Sequence, residues 1–520
     1  MRIIDYFDQG VRYYPASVAF IDVDEGDAET TYREANDASH AIAAAIRGNG
    51  YAKGTHIGIL APNSTNAFLV LLGLLRAEAV WLPVNPRNAV PVNVDLLERF
   101  DCDLLFFHSS FAGEAEQIVA SVSRVREAIC IDAEVGPYVS LAKWSEGHPK
   151  TFVMGEECPE DISSIGATGG TTGKSKGVVG THRTIEALFA NFYSHFQYYD
   201  DARHLVVAPM THAAGIFGCM HFPRGGTNVI MAKADPAAIV RAIEKYRITH
   251  LFVPPTVLYM MLSLPDVRAT EFSSLRHFLI GAAPTSLEKL KEAIDVFGPV
   301  MTEAYGQAEA PAAIALKAPW DYLDADGKII TSRLQSVGRA AVHNKVALLD
   351  DEGLEVPRGQ SGEICIRGSL VTPGYYKNPE ATKEVRQFGW HHTGDIAVMD
   401  EEGFITIVDR KKDMIITGGF NVYPNEVEQA LMMHAAVQDC AVIGIPDEKW
   451  GEAIKAVVQL KPAHHVGGED LIRLVKDQLG GVKAPKTVDF VESLPRSPNG
   501  KVLKTELRKP YWGSLGRNVA

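Results

Sequence analysis

The sequence predicts an α/β protein: a large N-terminal domain of stacked βα layers with a small antiparallel β appendage, followed by a small α+β C-terminal domain. Three observations predict it. Strand-like and helical runs alternate from residue 55 to 132 and resume after Asp161. Short strands separated by Gly, Pro and Asp turns occupy 337–408. A basic cluster at 410–412 then opens a last segment of about a hundred residues, an ordinary size for a domain.

The first layer rests on the apolar runs THIGIL (55–60), DLLFFH (103–108) and AICI (128–131), with helical patterns over 64–78 and 113–122 between them. A second βα layer is expected from SSIGAT (163–168), a glycine loop, a helix from about Thr184, and the runs HLVVAP (204–209) and HLFVPP (250–255). The appendage is read from KVALLD (345–350), GEICIRG (362–368) and GFITIVD (403–409). IITGGFNVYPNEVEQALMM, DCAVIGIPD, EAIKAVVQL and a helix near 469–479 make the last module, so the expected domains are 1–410 and 411–520.

At 520 residues the chain exceeds the size at which one core stops growing, and 46% hydrophobic with 22% charged residues is ordinary globular composition. A formal charge of −13 argues against a nucleic-acid surface, so an anionic ligand must be held by local groups. The six cysteines form no CxxC or Cys/His cluster and are expected to be reduced core residues of a cytoplasmic protein. His391 and His392 form a metal-like pair without a third ligand and are expected to be surface histidines. MRIIDYFDQG does not read as a signal peptide, and the longest apolar run, 67–75, is too short to span a bilayer. No obligatory membrane is expected, and a homodimer stays open.

The stretch GATGGTTGKSKG (166–177) has a Walker-like Gly-Lys-Ser at 173–175, but Thr168 stands where that motif needs glycine. Its glycines can turn N–H groups towards one point, while Thr168, Thr171, Thr172, Ser175, Lys174 and Lys176 add hydroxyls and charge, a composition suited to polyphosphate. A mobile surface turn is the bland alternative. The motifs that follow are APMTHAAG (208–215), GAAP (281–284), EAYGQAEA (303–310), GEICIRG (362–368), HHTGD (391–395), DRKKDMIITGGFNVYPNEVE (409–428) and PRSPNGK (495–501).

With these motifs in this order, from about residue 15 to 508, the sequence resembles the adenylate-forming superfamily, particularly its acyl- and aryl-CoA synthetases. The resemblance implies that the loop grips ATP phosphates through Thr168, Thr171, Thr172 and Lys176, with Gly169 and Ser175 replacing the usual Ser and Pro. It implies that Gly281, Ala282 and Ala283 lie at the nucleotide, that Tyr305 stacks on adenine, and that Glu309 binds Mg²⁺. Ala308 stands where the family has a Thr donor to the α-phosphate. Asp395 and Arg410 match the ribose-binding pair, Lys412 the pivot of a mobile C-terminal domain, and Lys501 the lysine that bridges the substrate carboxylate and α-phosphate. Gly418 and Gly419 match the stretch that lines the pantetheine channel.

The acid pocket implied by the resemblance involves His212, which could orient a carboxylate, with Phe217, Gly281, Ala304, Ala308 and Ala310. Its small residues suggest a roomy apolar slot for an aryl, alicyclic or medium-chain acid. The expected reaction consumes ATP with Mg²⁺, makes an acyl-AMP and pyrophosphate, and transfers the acyl group to coenzyme A. A stand-alone enzyme that loads an acyl carrier protein is the alternative. A P-loop ATPase or a non-catalytic nucleotide sensor is a reading from another class.

Overall fold

A computed structural model of the chain describes residues 1–168, 175–197, 199–211, 213–496 and 502–513, and counts below refer to these. The chain packs as two compact units. One comprises Met1–Thr168, Ser175–Lys345 and Arg367–Glu384; the other holds Val346–Ile366 and the described residues from Val385 onward. No helix among the described residues is long and apolar enough to cross a membrane.

Two sheets build the first unit. In the seven-stranded sheet the order is 374–375, 177–181, 162–167, 80–83, 56–60, 104–107 and 127–130, with the last five strands parallel. Leu60, Leu82, Leu105, Phe107 and Ile118 meet in its core. The glycine loop departs from the expected βα layer. Strand Ile162–Ala167 joins this first sheet and pairs antiparallel with Gly177–Thr181, so the stretch 168–176 connects two strands of a hairpin. A helix, His182–His195, begins only after the second of them, and Thr181 caps it by accepting a hydrogen bond from the Thr184 N–H. A Walker loop runs straight into a helix N-terminus, so this connection has a different architecture.

The nine-stranded sheet has the order 339–340, 310–317, 301–307, 277–281, 250–253, 203–206, 227–230, 18–22 and 28–31. Strands 18–22, 227–230, 203–206, 250–253, 277–281 and 301–307 run parallel. Alternation along them divides two faces. Leu205, Val229, Leu251, Val253, Phe278 and Ile280 pack on one face with residues of helices Pro236–Lys245, Pro255–Leu262 and Leu287–Phe297. His204, Asn228, His250, Phe252, His277, Leu279 and Thr302 alternate with them, and the first three strands with histidines pair in register, His204↔His250↔His277. The four rings His204, His221, His250 and His277 follow one another at centroid spacings of 5.1, 4.7 and 5.2 Å.

The second unit contains an antiparallel sheet of strands 345–349, 361–367, 386–387, 390–399 and 405–410, as the appendage reading expects. A second sheet holds 415–417, 420–422, 437–447, 451–460 and 487–491. Helices Pro424–Met432 and Gly468–Leu479 bury Val427, Leu431, Leu471 and Val475 against Val442, Ile454 and Val458. Five cysteines are buried as expected, but Cys158 is exposed. It lies in the 151–161 connection, which has no strand or helix to bury it.

Strands 301–307 and 310–317 form a hairpin locked by a buried ion pair. Glu303 and Lys317 are cross-strand partners, and Lys317 Nζ lies 2.7 Å from Glu303 Oε1 with its side chain fully buried. The ammonium also donates to the carbonyls of Arg333 (3.0 Å), Leu334 (3.3 Å) and Ser336 (2.5 Å), while the Tyr322 hydroxyl donates to Glu303 at 2.6 Å. Burial pushes the Lys317 ammonium below its ordinary value, and Glu303 offsets part of this.

Two measurements follow from this packing. Lys317→Met should leave three carbonyls without their donor and the Glu303 charge with the Tyr322 hydroxyl but no cation, at a cost of about 3–5 kcal/mol in denaturant unfolding; the Glu303→Gln, Lys317→Met double variant should recover part of it. A loss under about 1 kcal/mol would show that the pair does not hold the hairpin. Acid should also destabilise the fold, because burial holds His204, His277 and His391 down to about 4 and lowers His221 and His250 well below 6.5. The unfolded chain binds protons that these folded imidazoles refuse, so their contribution is complete above about pH 6.5 and is lost as pH falls toward 4. Each of the three held near 4 should cost about 2 kcal/mol between pH 6.5 and 5. Thermal melts across that range should show a steep fall in Tm; a flat profile would contradict the neutral burial.

Candidate active site

In the first unit, the loop residues still described are held at the mouth of the hairpin. Thr168 N–H donates to the Lys176 carbonyl at 2.9 Å, the Lys176 N–H donates to Thr168 Oγ1 at 3.0 Å, and Arg99 donates to the Ser175 carbonyl at 2.8 Å. Thr171, Thr172, His212 and Lys501 lie outside the described residues, as does Gly169. Next to the loop's exit strand, Gly374 and Tyr375 pair with Val179 and Val178. This brings the Tyr375 ring under the Lys176 ammonium, 4.7 Å from Nζ to the centroid.

Tyr375 also reaches the other predicted ligand. Its hydroxyl donates to Glu309 Oε1 at 2.5 Å, and the Glu309 carbonyl accepts from the Thr372 N–H at 2.9 Å. Burial, and then Glu309, holds the phenol above its ordinary value, so it stays a donor. Sequence reasoning missed Tyr375. The signal available was VTPGYYKNPEAT (371–382), in which Gly374, at φ +135°, sits against the Thr382 side chain where a Cβ would clash.

Glu309 sits with exposed Ala308 in the two-residue turn of the hairpin, since Gln307 and Ala310 are partners. The register shifts between Tyr305 and Gln307, and a Cβ on Gly306 would lie 2.4 Å from the Ala312 nitrogen. Glycine is therefore required for the bulge that separates half-exposed Tyr305 from the turn. Glu309 fits a hard divalent cation: it is half-exposed, and among the described residues only Tyr375 donates to its carboxylate. Gly281 ends its strand beside Ala304, its register partner, and Ala282 takes a left-handed φ of +69° before exposed Ala283. These residues lie at carboxyl ends of parallel strands, where open α/β sheets place ligands.

Below them on the same sheet face is a cavity of about 40 Å³ lined by Phe217, Phe252, Leu279, Thr302 and the four histidines. Phe217 comes from helix Ala213–Cys219, and its ring packs on Phe192 and Phe252 at 5.3 and 5.4 Å. The histidines were not singled out by sequence reasoning, although HLFVPP and HFLIGA each open a strand with histidine and HLVVAP places one at the second position of its strand.

In the second unit, Asp395 and Arg410 are cross-strand partners, with Arg410 Nε 3.0 Å from Asp395 Oδ1. Asp395 is buried and its N–H donates to Thr393 Oγ1 at 3.1 Å. The turn before it is gathered by Glu363, which accepts from the Gly394 N–H at 2.9 Å and pairs with His392 at 3.0 Å and Lys411 at 3.3 Å. The expectation of two surface histidines is corrected here. His391 is buried, and His392 lies within reach of both Glu363 and Cys365, two residues that sequence distance hid because they sit on the neighbouring antiparallel strand. The Lys411 ammonium on the same carboxylate makes this an ion-pair cluster.

Lys412 is exposed in a single 3₁₀ turn, Lys411–Asp413. Gly418 and Gly419, at φ +58° and +82°, form the two-residue turn of the hairpin 415–417/420–422. Both need left-handed backbone there, as a type I′ hairpin requires. A Cβ on Gly418 would meet the Trp450 ring at 2.6 Å, whereas one on Gly419 would meet nothing within 4 Å.

Comparison with known proteins agrees with this arrangement. Residues 7–376 match the AMP-binding enzyme family and 426–501 the AMP-binding enzyme C-terminal domain. The chain is 35% identical to a medium/long-chain-fatty-acid–CoA ligase of Mycobacterium tuberculosis over 95% of its length and 88% of the relative's. It is 33% identical to the feruloyl-CoA synthase of an Amycolatopsis species over 94% and 95%. The solved amide bond synthetase McbA from Marinactinospora thermotolerans superposes with a TM-score of 0.88 at 28% identity, over 98% of this chain and all of that one. The chain therefore belongs to the AMP-binding enzyme family, the adenylate-forming enzymes that include acyl-CoA ligases.

Proposed function

We propose that this enzyme activates a hydrophobic carboxylic acid with ATP, as an acyl-AMP with release of pyrophosphate, and then transfers the acyl group to CoA with release of AMP. The observation that carries the reading is the array Lys176, Tyr375 and Glu309, in which one phenol ring holds a cation on its face and a carboxylate at its hydroxyl. Lys176 and the threonines of the loop hold the phosphates. Glu309 would hold Mg²⁺, which when bound neutralises phosphate charge during carboxylate attack. Tyr305 and the 281–283 segment take the adenine end, and Asp395 with Arg410 takes the ribose.

His212 orients the acid, and Phe217, Ala304 and Ala308 border its pocket. Fatty-acid and feruloyl relatives support an acid with a large apolar body. Free CoA is the acceptor we favour, reached past Gly418 and Gly419, and the cytoplasm is the compartment we assign. The C-terminal residues from 411 pivot at Lys412, with Lys501 serving adenylation and the Gly419 turn serving thiol capture.

The reaction is tested by incubating the protein with ATP, CoA and a panel of aliphatic, alicyclic and aryl acids. AMP, pyrophosphate and acyl-CoA should appear in equal amounts and only with Mg²⁺; ADP and phosphate as first products would refute the ligase reading. Tyr375→Phe removes the donor to Glu309 and should raise the Mg²⁺ concentration for half-maximal AMP formation by roughly 10–100-fold, with the KM for acid little changed. An unaltered Mg²⁺ titration would detach Glu309 from the metal.

The two half-reactions separate the C-terminal roles. Lys501→Ala should cut acid-dependent pyrophosphate exchange by about 10²–10³-fold and spare CoA capture of supplied acyl-AMP. At Gly419 the probe is Asn, because it tolerates the left-handed backbone that Leu would strain. Gly419→Asn should slow CoA capture and spare exchange. Equal losses in both steps for both variants would refute the division of labour.

A further inference from the structure

Three consecutive residues at the end of helix Val90–Arg99 reach both chain segments that carry Lys176 and Tyr375. Arg99 donates through Nε and Nη2 to Asp95 Oδ2, one turn back on its own helix, at 2.9 and 2.6 Å, and through Nη1 to the Ser175 carbonyl at 2.8 Å. Phe100 fills the space beside Gly177, where a Cβ would lie 2.6 Å from its ring. Asp101, in left-handed backbone at φ +54°, accepts from the Tyr376 hydroxyl at 2.6 Å and pairs with Lys377 at 2.6 Å. The Tyr376 N–H in turn donates to the Gly177 carbonyl at 2.7 Å. The approach to Lys176 and the chain just after Tyr375 are thus fastened to one turn.

We infer that Arg99 is a positioning residue for ATP: steadied by Asp95, it orients the peptide between Ser175 and Lys176 so that the Lys176 ammonium stays on the Tyr375 ring and meets phosphate there. This rests on the reading above, in which Lys176 holds the phosphates. The Ser175 carbonyl and the Lys176 N–H belong to one rigid peptide plane. Arg99 holds the oxygen, and Thr168 Oγ1 holds the N–H at 3.0 Å, so the plane is fixed at both edges. A lysine ammonium rides on a flexible four-carbon stem, and it is placed no better than the backbone that carries it. The guanidinium is planar, so its hold on Asp95 aims Nη1 at the Ser175 oxygen. Ser175 has no ring to restrict its own φ, as the proline usual at this position in the family would have, and the restraint is applied by Arg99 instead. Because the Arg99 charge is already matched by Asp95, what it supplies to the site is geometry.

The test joins calorimetric titration of the protein with ATP and Mg²⁺ to acid-dependent pyrophosphate exchange. Arg99→Met keeps an apolar stem and removes the donors; it should raise the Kd and the KM for ATP about tenfold and leave the KM for acid unchanged. Asp95→Ala separates geometry from charge. It leaves the Arg99 cation unneutralised, so an Arg99 that acted by charge would tighten ATP binding, whereas a positioning Arg99 released from its carboxylate should weaken it roughly 3–10-fold. In a Lys176→Ala background, Arg99→Met should change the Kd by less than about twofold, because it acts through the lysine. A role in folding alone would lower Tm without moving these constants, and Asp95→Ala decides if Arg99→Met fails to fold. Unchanged ATP constants, tighter binding by Asp95→Ala, or full additivity with Lys176→Ala overturns the inference. Weakened ATP binding with no pyrophosphate exchange from any acid leaves the inference standing and refutes the ligase reading. Failure of the unaltered protein to bind ATP overturns both.

Discussion

A lysine with no exposure to water governs the geometry of the nucleotide end of the sheet. Taking the Lys317 ammonium and the Glu303 carboxylate out of solvent is costly, and the cost is offset only because three carbonyls and a tyrosine hydroxyl complete their hydrogen bonding. The pair spans the two strands of one hairpin, so it fixes their register two residues before Tyr305 and one turn away from Glu309. A slip of one residue would turn every side chain to the opposite face and put the bulge at Gly306 against the wrong partner. What the ion pair supplies is therefore positional: a stiff base from which a half-exposed aromatic ring and a half-exposed carboxylate project.

The same device recurs at lower burial. Glu309 is oriented by a phenol from a strand paired to the loop's own exit strand, and Glu363 in the second unit gathers a backbone N–H, a histidine and a lysine around the turn that precedes Asp395. A chain with a formal charge of −13 thus holds its cations at these two places through local arrangements. Each pairs a carboxylate anchor with a nearby cation, and neither needs a basic surface.

Much of this was legible in the sequence, for reasons that can be named. Parallel strands buried on both faces leave continuous apolar runs, and THIGIL, DLLFFH, HLVVAP and HLFVPP each fall on one. The motifs EAYGQAEA and HHTGD place Glu309 on a turn, Tyr305 on the strand that leads into it and Asp395 directly after a glycine, because glycine and short polar residues mark where a strand bends or ends. Strand 177–181 was missed, since GVVGT carries two glycines and reads as the tail of the loop, and its neighbour then fell into the wrong sheet. Tyr375 and the Glu363–Cys365–His392 grouping were invisible for a different reason: antiparallel pairing joins Cys365 to His392 and Tyr375 to Val178, 27 and 197 positions apart, and no local pattern records such a meeting. His391 was misjudged because polarity alone cannot tell a surface imidazole from a neutral one in a core.

The histidine row is confined to one end of its sheet. Four imidazoles at ring spacings near 5 Å would repel one another if charged, so they can share that face only as neutral groups in a low-dielectric enclosure. Three of them, His204, His250 and His277, lie at strand starts, the ends farthest from the carboxyl termini where Gly281, Ala304 and Tyr305 sit. The neutral imidazole of His277 is thereby kept about 13 Å from Gly281 at the other end of its strand. A parallel sheet makes this separation inexpensive, because every strand points its reactive end the same way and every strand start then falls in one row.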